Sequence, residues 1–444
     1  MNISTLGNKK IVLLGFGREG VETLRVLRKY FPDKHFAIAD QNENLSCSDK
    51  NVSLLKGENY QDSLGDFDVI IKTPGISMSP ELKPLAEKIT SATQIFFDSI
   101  DSSNTVVGVT GSKGKSTVVS MLFEVLKEDG RQTELIGNIG VPALKYVECK
   151  NTTFVCELSS YQLEGTHIHP HIAIITSLFP DHLTYHGGFD NYFNAKKNIT
   201  RGQSEEDLLI VNKQYEKLTE LETKAKKIIY GEQDNVWYDE KWFYEGGNKI
   251  FPVGAVKIPG DHNKDNVLAV ISATHLLGVE NNVIERSISQ FYGLPHRLEY
   301  VDNVKGVHFY DDAISTTPES TIAGIEVFKE KLGSIILGGE DRGYEFSGLV
   351  RKLKEYSVST IVLLPDTGKK IGELINTEKE YSPKVLSTDN MEEAVQYCTA
   401  NTPKGKMSLL STASPSYSLY KNFEEKGDLF KKCVHNLTHQ EQNL

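Results

Sequence analysis

No stretch of the 444-residue sequence approaches the roughly 20 consecutive apolar residues that span a bilayer. The opening run MNISTLGNKK lacks the apolar core of a secretory signal, so a cytoplasmic protein is expected. Cysteine is scarce. Cys47, Cys149, Cys156, Cys398 and Cys433 are odd in number and include no Cys-x-x-Cys pair, which fits neither a disulfide framework nor a zinc site and leaves ordinary reduced residues. Positive charge is in deficit: 49 Lys and Arg face 60 Asp and Glu, for a formal net charge of -11. Neutralising a phosphate backbone needs a basic surface, so a general nucleic-acid binder is excluded and any anionic ligand must be held by local devices. Low-complexity tracts are missing too. With 39% hydrophobic and 25% charged residues the chain should fold without a partner, and a monomer is expected.

At about 100–200 residues per domain, the length suggests three units. Residues 10–14 form a short apolar run entering glycines, and Val21, Leu24 and Leu27 then repeat at helical spacing up to Tyr30. Further strands are predicted at 36–39, stopping at Asp40, and at 69–71, ending in Thr73-Pro74-Gly75. The polar stretch 101–104 marks a boundary near residue 102. A second unit starts with the strand 105–109, a glycine-rich loop and a helix from near Lys115, followed by strands at 154–156, 172–175 and 208–211. The pattern restarts around Gly293-Leu294-Pro295-His296, with apolar runs at 334–337, 360–364 and 408–410 alternating with helical stretches. This alternation predicts an α/β protein of three domains, 1–102, 103–294 and 295–444. The polar tail from His439 onward is expected to be disordered.

The strongest local signal is Gly108-Val109-Thr110-Gly111-Ser112-Lys113-Gly114-Lys115-Ser116-Thr117, a phosphate loop between a strand and a helix. Glycines let backbone N–H groups close around phosphate oxygens, Lys115 reaches the terminal phosphates, and the hydroxyl of Ser116 or Thr117 can ligate Mg²⁺. The first glycine of the usual P-loop pattern would fall at Val109. A glycine-rich turn without a ligand is the plain alternative, and the order of strand, Gly-Lys-Ser-Thr and helix weighs against it.

Gly15-Phe16-Gly17-Arg18-Glu19-Gly20 is a complete G-x-G-x-x-G after a strand, with Asp40 about 20 residues on, as a dinucleotide fingerprint requires. An NAD-dependent dehydrogenase is therefore a rival. The same helix N-terminus recognises phosphate charge, not nicotinamide, and would serve the diphosphate of a UDP-sugar equally well. The second phosphate loop tips the choice: a dehydrogenase has no need of it, whereas a ligase binds both ATP and its acceptor. Glu157 ends an apolar strand, where a carboxylate can hold a metal bound to ATP phosphates, although a lone glutamate is more often a surface acid. Asp181-His182 follow another apolar strand, and Asn194-Ala195-Lys196-Lys197 stand on the next expected helix.

Taken together, these residues resemble a known family. Gly111 to Thr117 resembles the ATP loop of the Mur ligases, and Glu157-Leu158-Ser159-Ser160-Tyr161-Gln162-Leu163-Glu164 looks like the segment of the glutamate-adding member. Gly137-Asn138-Ile139-Gly140, Asp181-His182, Ala195-Lys196, His262-Asn263-Lys264-Asp265-Asn266, Gly293-Leu294-Pro295-His296-Arg297, Asp312 and Lys421-Asn422-Phe423-Glu424 follow in family order across nearly the whole chain. The resemblance implies an N-terminal Rossmann-like unit for a UDP-linked substrate, a central P-loop ATPase-like unit and a C-terminal Rossmann-like unit for the amino acid. It also implies an ATP-dependent amide ligase of peptidoglycan synthesis that adds D-glutamate to UDP-N-acetylmuramoyl-L-alanine through an acyl phosphate.

Gly111, Ser112, Lys113, Gly114, Lys115, Ser116 and Thr117 would hold ATP phosphates, with Asn266, Arg297 and Asp312 at the adenine and ribose end. Ser116 and Glu157 would bind one Mg²⁺. His182 and Lys196 would serve a second, with Lys196 carbamylated in this family, a change that gives a hard cation oxygen donors; an ordinary solvated helix lysine is the alternative. Lys115, His182 and Lys196 would be the catalytic set. Gly15, Phe16, Thr73, Asn138, Ser159 and Gln162 would bind the UDP substrate, and Thr316, Arg342, Ser416 and Phe423 the glutamate. Two positions depart from the D-glutamate pattern: Ile314 stands where a lysine is usual, and Arg342 replaces a second lysine. Addition of L-glutamate is the runner-up reading. A folylpolyglutamate synthase would not need the N-terminal unit, and a nucleotide-binding regulator would turn over no ATP.

Overall fold

The computed structural model describes residues 1–442. Its first sheet contains strands β1 (Ile11–Leu14), β2 (Phe36–Asp40), β3 (Val52–Lys56), β4 (Val69–Lys72) and β5 (Ile89–Thr90), all parallel, in the order β3-β2-β1-β4-β5. β1 is buried along its whole length, as expected where helices cover both faces of a parallel sheet. Because β1 lies between β2 and β4, the loop that follows it opens at the point where strand order reverses, the usual place for a ligand in a doubly wound sheet.

The second sheet runs β11-β10-β9-β6-β8-β7 and is also parallel. Its strands are β6 (Thr105–Thr110), β7 (Thr133–Gly137), β8 (Thr153–Glu157), β9 (Ile172–Ile175), β10 (Leu208–Asn212) and β11 (Lys226–Tyr230). β6 sits at the reversal, flanked by β8 and β9. A small antiparallel sheet of β12 (Val236–Tyr238), β13 (Trp242–Glu245) and β14 (Asn248–Pro252) follows, which the sequence reading did not anticipate. One continuous apolar core joins the first two sheets, from Leu13 and Phe36 through Phe96 to Phe154 and Ile175.

The third sheet is ordered β15-β16-β20-β17-β18-β19, from β15 (Glu299–Val304), β16 (Val307–Asp311), β17 (Leu332–Gly339), β18 (Thr360–Asp366), β19 (Lys384–Ser387) and β20 (Met407–Leu410). It is parallel except for the β15–β16 hairpin. The chain forms two compact units, one of residues 1–256 with 261–290, the other of residues 257–260 with 291–444.

The tail corrects one expectation. The helix Phe423–Gln442 runs on past His439, because Phe430 and Val434 are buried in the core of the second unit, Leu437 packs against it on the same face, and Glu424 and Glu425 suit the positive end of the helix. Residues 443 and 444 of that predicted tail lie outside the described residues. All five cysteines are unpaired, and no described helix is long and apolar enough to cross a membrane.

Candidate functional site

In the first unit, the loop after β6 is bent by two glycines. Gly111 has φ +150 and Gly114 φ +86, values an L side chain rarely adopts. A Cβ on Gly111 would collide with Thr176, and one on Gly114 with the carboxamide of Asn266, so the helix His262–Leu276 presses directly on the loop. Thr176 and Ser177, just beyond β9, accept and donate at Lys113 with bonds of 2.6–2.9 Å. The Ser112 hydroxyl bonds Phe179 and Tyr192, and its amide donates to Ser177 at 2.9 Å. Ser112 and Lys113 thus shape the loop with the very groups a phosphate would use. The helix Lys115–Glu128 begins at Gly114 without a side-chain cap, leaving an N-terminus suited to an anion, and Lys115 Nζ folds over the carbonyls of Gly111 and Ser112 at 2.9 and 3.1 Å.

Glu157 ends β8 beside this loop and is 1% exposed. Its Oε1 accepts from Asn138 Nδ2 at 2.7 Å, while Oε2 has no hydrogen-bond partner among the described residues. Lys196 is equally buried. Its Nζ donates to Gly111 O at 2.8 Å and lies 4.6 Å over the ring of Tyr192, one helical turn earlier. Burial, and then the charge of Lys115, bring the Lys196 ammonium down to about 7, against the pull of Asp181 and Glu157. Burial also lowers His182, with Asp181 opposing and Lys115, Lys196 and Lys113 adding to the drop. The His182 ring lies 5.0 Å from Tyr161 and 6.4 Å from Tyr192. Tyr192 was missed by sequence reading, although its spacing of four from Lys196 on the expected helix was a usable signal.

At the end of β1, Gly15 has φ +91, and a Cβ there would strike the Thr73 hydroxyl. The following helix, Arg18–Tyr30, carries no side-chain cap. Asp40 points back into this loop: one carboxylate oxygen accepts the Phe16 amide at 2.7 Å, the other the Asn42 amide at 2.9 Å. Ser159 and Gln162 form a reciprocal capping box on the short helix Ser160–Leu163 and are both buried.

In the second unit, Thr316, Ser416 and Phe423 line a single cavity of about 290 Å³, with Ile314 on its wall. Arg342 is not among its lining residues; it is half exposed and pairs with Glu340 at 2.9 Å. Asp312 is not among the lining residues either; it is 2% exposed, accepting from Ser411 Oγ at 2.8 Å and the Leu298 amide at 3.3 Å. Burial raises its carboxyl to about 7. Arg297 is exposed. The cavity is also lined by Lys426, which sequence reading missed although it follows Phe423 by three positions on the same helix face.

Residues 109–274 match the Mur ligase middle domain and residues 296–413 the Mur ligase glutamate ligase domain. A protein of Acetivibrio thermocellus named UDP-N-acetylmuramoylalanine--D-glutamate ligase is 34% identical over 97% of both chains. One of the same name from Streptococcus agalactiae is 34% identical over 96% of this chain and 97% of its own. The fold resembles the MurF ligase of Thermotoga maritima solved with ADP, at TM-score 0.56 and 16% identity over 98% of this chain and 97% of that one. It resembles UDP-N-acetylmuramate-alanine ligase MurC of the same organism to the same degree, at TM-score 0.56 and 17% identity over 97% and 100%. The chain therefore belongs to the Mur ligase family, and is an ATP-dependent acid–amino-acid ligase.

Proposed function

We propose that this chain adds D-glutamate to UDP-N-acetylmuramoyl-L-alanine, a step of peptidoglycan precursor synthesis. The observation that carries the reading is near full-length similarity to D-glutamate ligases. The three sheets serve as three functional domains, with the UDP-linked acceptor at the loop after β1, ATP at the loop after β6 and glutamate in the cavity of the second unit. The engagement of both Asp40 oxygens by backbone amides favours a phosphate-binding loop over a ribose-reading dinucleotide site. Gly15, Phe16 and Thr73 with Asn138, Ser159 and Gln162 are the acceptor contacts.

The residues around the phosphate loop fit a divalent cation. A buried carboxylate oxygen without a partner, Glu157 Oε2, is a donor for a hard metal beside Ser116. Lys196 fits carbamylation, which needs a neutral amine: with its ammonium near 7, a large share of the side chain is unprotonated at neutral pH. Attack of that amine on CO₂ releases one proton and leaves a carboxylate-like anion that would hold a second cation with neutral His182. Mg²⁺ bound at these positions would screen the charge of the phosphates.

Lys115 and the uncapped helix start hold the transferring phosphate and neutralise its charge. The acceptor carboxylate attacks the γ-phosphorus and ADP leaves; the glutamate amine then displaces phosphate from the acyl phosphate, giving the amide. Asn266, pressed against the loop at Gly114, serves the nucleoside end. The test is phosphate release with UDP-N-acetylmuramoyl-L-alanine and each glutamate enantiomer in turn. D-glutamate should give the higher kcat/KM. A higher value for L-glutamate would replace the enantiomer assignment, and no release with either would sink the reading.

A further inference from the structure

Glutamate carries two carboxylates, and the cavity of the second unit must meet them with positive charge. Arg342 stands outside it, paired with Glu340. Lys426 lies inside. It is 1% exposed and is the one charged side chain among the described residues that line the cavity. Its ammonium donates to Thr412 Oγ1 at 2.6 Å and Ser416 Oγ at 3.3 Å, and no described carboxylate lies within ion-pair distance of it.

An ammonium held by two hydroxyls alone, away from water, is poorly compensated, because hydroxyl dipoles replace hydration without supplying a counter-charge. Burial lowers Lys426 to about 8, and the more distant Asp311 and Asp312 only partly oppose this. At neutral pH the side chain is still mainly cationic. The next negative group to enter the cavity would complete its surroundings. Ile314 on the same wall offers only apolar contact, and Ser416, already bonded to the ammonium, is placed to share the same oxygen.

We propose that Lys426 is the specificity-determining cation of this enzyme: its ammonium binds the side-chain carboxylate of the incoming glutamate. This rests on the glutamate-ligase reading. The alternative is a structural role, in which Lys426 only ties its helix to Thr412 and Ser416.

The experiment is Lys426→Met, assayed by phosphate release at varied glutamate and at varied glutamine, whose side chain is of the same size but uncharged. Loss of one charge-assisted hydrogen bond in a buried site should lower kcat/KM for glutamate about 10- to 100-fold. The KM values for ATP and the acceptor should hold, and the preference for glutamate over glutamine should collapse. Lys426→Arg should keep that preference. If the methionine variant does not fold, Lys426→Gln, which removes the charge but can still bond the two hydroxyls, takes its place with the same expectation. A variant that keeps the wild-type ratio of glutamate to glutamine, or loses both substrates in equal measure, overturns the proposal. An inactive wild type would instead defeat the ligase reading itself.

Discussion

Replacing Asp312 by asparagine should make the protein more stable above neutral pH and leave it almost unchanged in acid. The carboxyl is 2% exposed, and burial lifts it from its usual 3.8 to about 7. Because the folded-state value lies above the unfolded one, the folded chain keeps a proton that the unfolded chain has lost throughout that window. Stability therefore falls as pH rises between the two values, and the whole cost is present above about 7. At about 1.4 kcal/mol for each tenfold, that cost is on the order of 4 kcal/mol.

Asparagine carries no charge at any of these pH values and is nearly isosteric. Its oxygen can keep the Leu298 amide, and its NH₂ can face Ser411, whose own O–H is free to turn toward Thr321 Oγ1 at 2.9 Å. After allowance of about 1 kcal/mol for the altered hydrogen bond, the variant should gain about 2–3 kcal/mol near pH 8 and almost nothing near pH 4. Urea transitions followed by far-ultraviolet circular dichroism at both pH values measure the difference. An equal offset at the two pH values, or a variant less stable at the higher one, would refute the desolvation argument.

Lys115→Ala should cut phosphate release by about a hundredfold or more with an unchanged circular dichroism spectrum; near-normal turnover would remove Lys115 from the phosphate site. If Lys196 is carbamylated as proposed, Lys196→Ala should be inactive and partly restored by a short carboxylic acid that occupies the vacated space, whereas full activity without rescue would return Lys196 to a packing role. Gly114→Ala forces a side chain onto φ +86 and against Asn266, so ATP affinity measured by titration should drop at least about tenfold; unchanged affinity would show that the loop can relax. The N-terminal loop should bind a UDP-muramoyl ligand and not NAD, and tight NAD binding with no response to the UDP ligand would count against the acceptor assignment.

The strands legible in the sequence are those that show water no face. Ile11–Leu14, Ile172–Ile175 and Leu332–Gly339 are buried throughout, and parallel strands between helices read as unbroken apolar runs. Edge strands passed unread: Val52–Lys56 and Lys384–Ser387 are only partly buried and mix serine and lysine with their apolar residues. The antiparallel sheet after β11 escaped for a different reason. Its stability comes from cross-strand aromatic contacts such as Trp237 stacked on Tyr244 at 4.4 Å, which appear only once the register is known.

The same division separates the site residues that could be read from those that could not. A phosphate loop is local: its glycines, lysine and hydroxyls must follow one another because the backbone there turns through left-handed φ, so the chemistry leaves a mark in consecutive residues. The environment of a charged side chain leaves none. Lys196 and Lys197 are adjacent and chemically identical, yet a rotation of about 100° along the helix buries the first under the phosphate loop and leaves the second in solvent. Lys426 and Arg342 present the same contrast. The residue named by its motif position is half exposed and pairs two places away with Glu340, whereas the one that the motif stops short of is carried by the helix into the cavity. A motif can therefore nominate a cation, but whether that cation is available to a ligand depends on groups remote in sequence, and it is the lack of any described carboxylate within ion-pair distance of Lys426, not the identity of the residue, that makes it the stronger candidate.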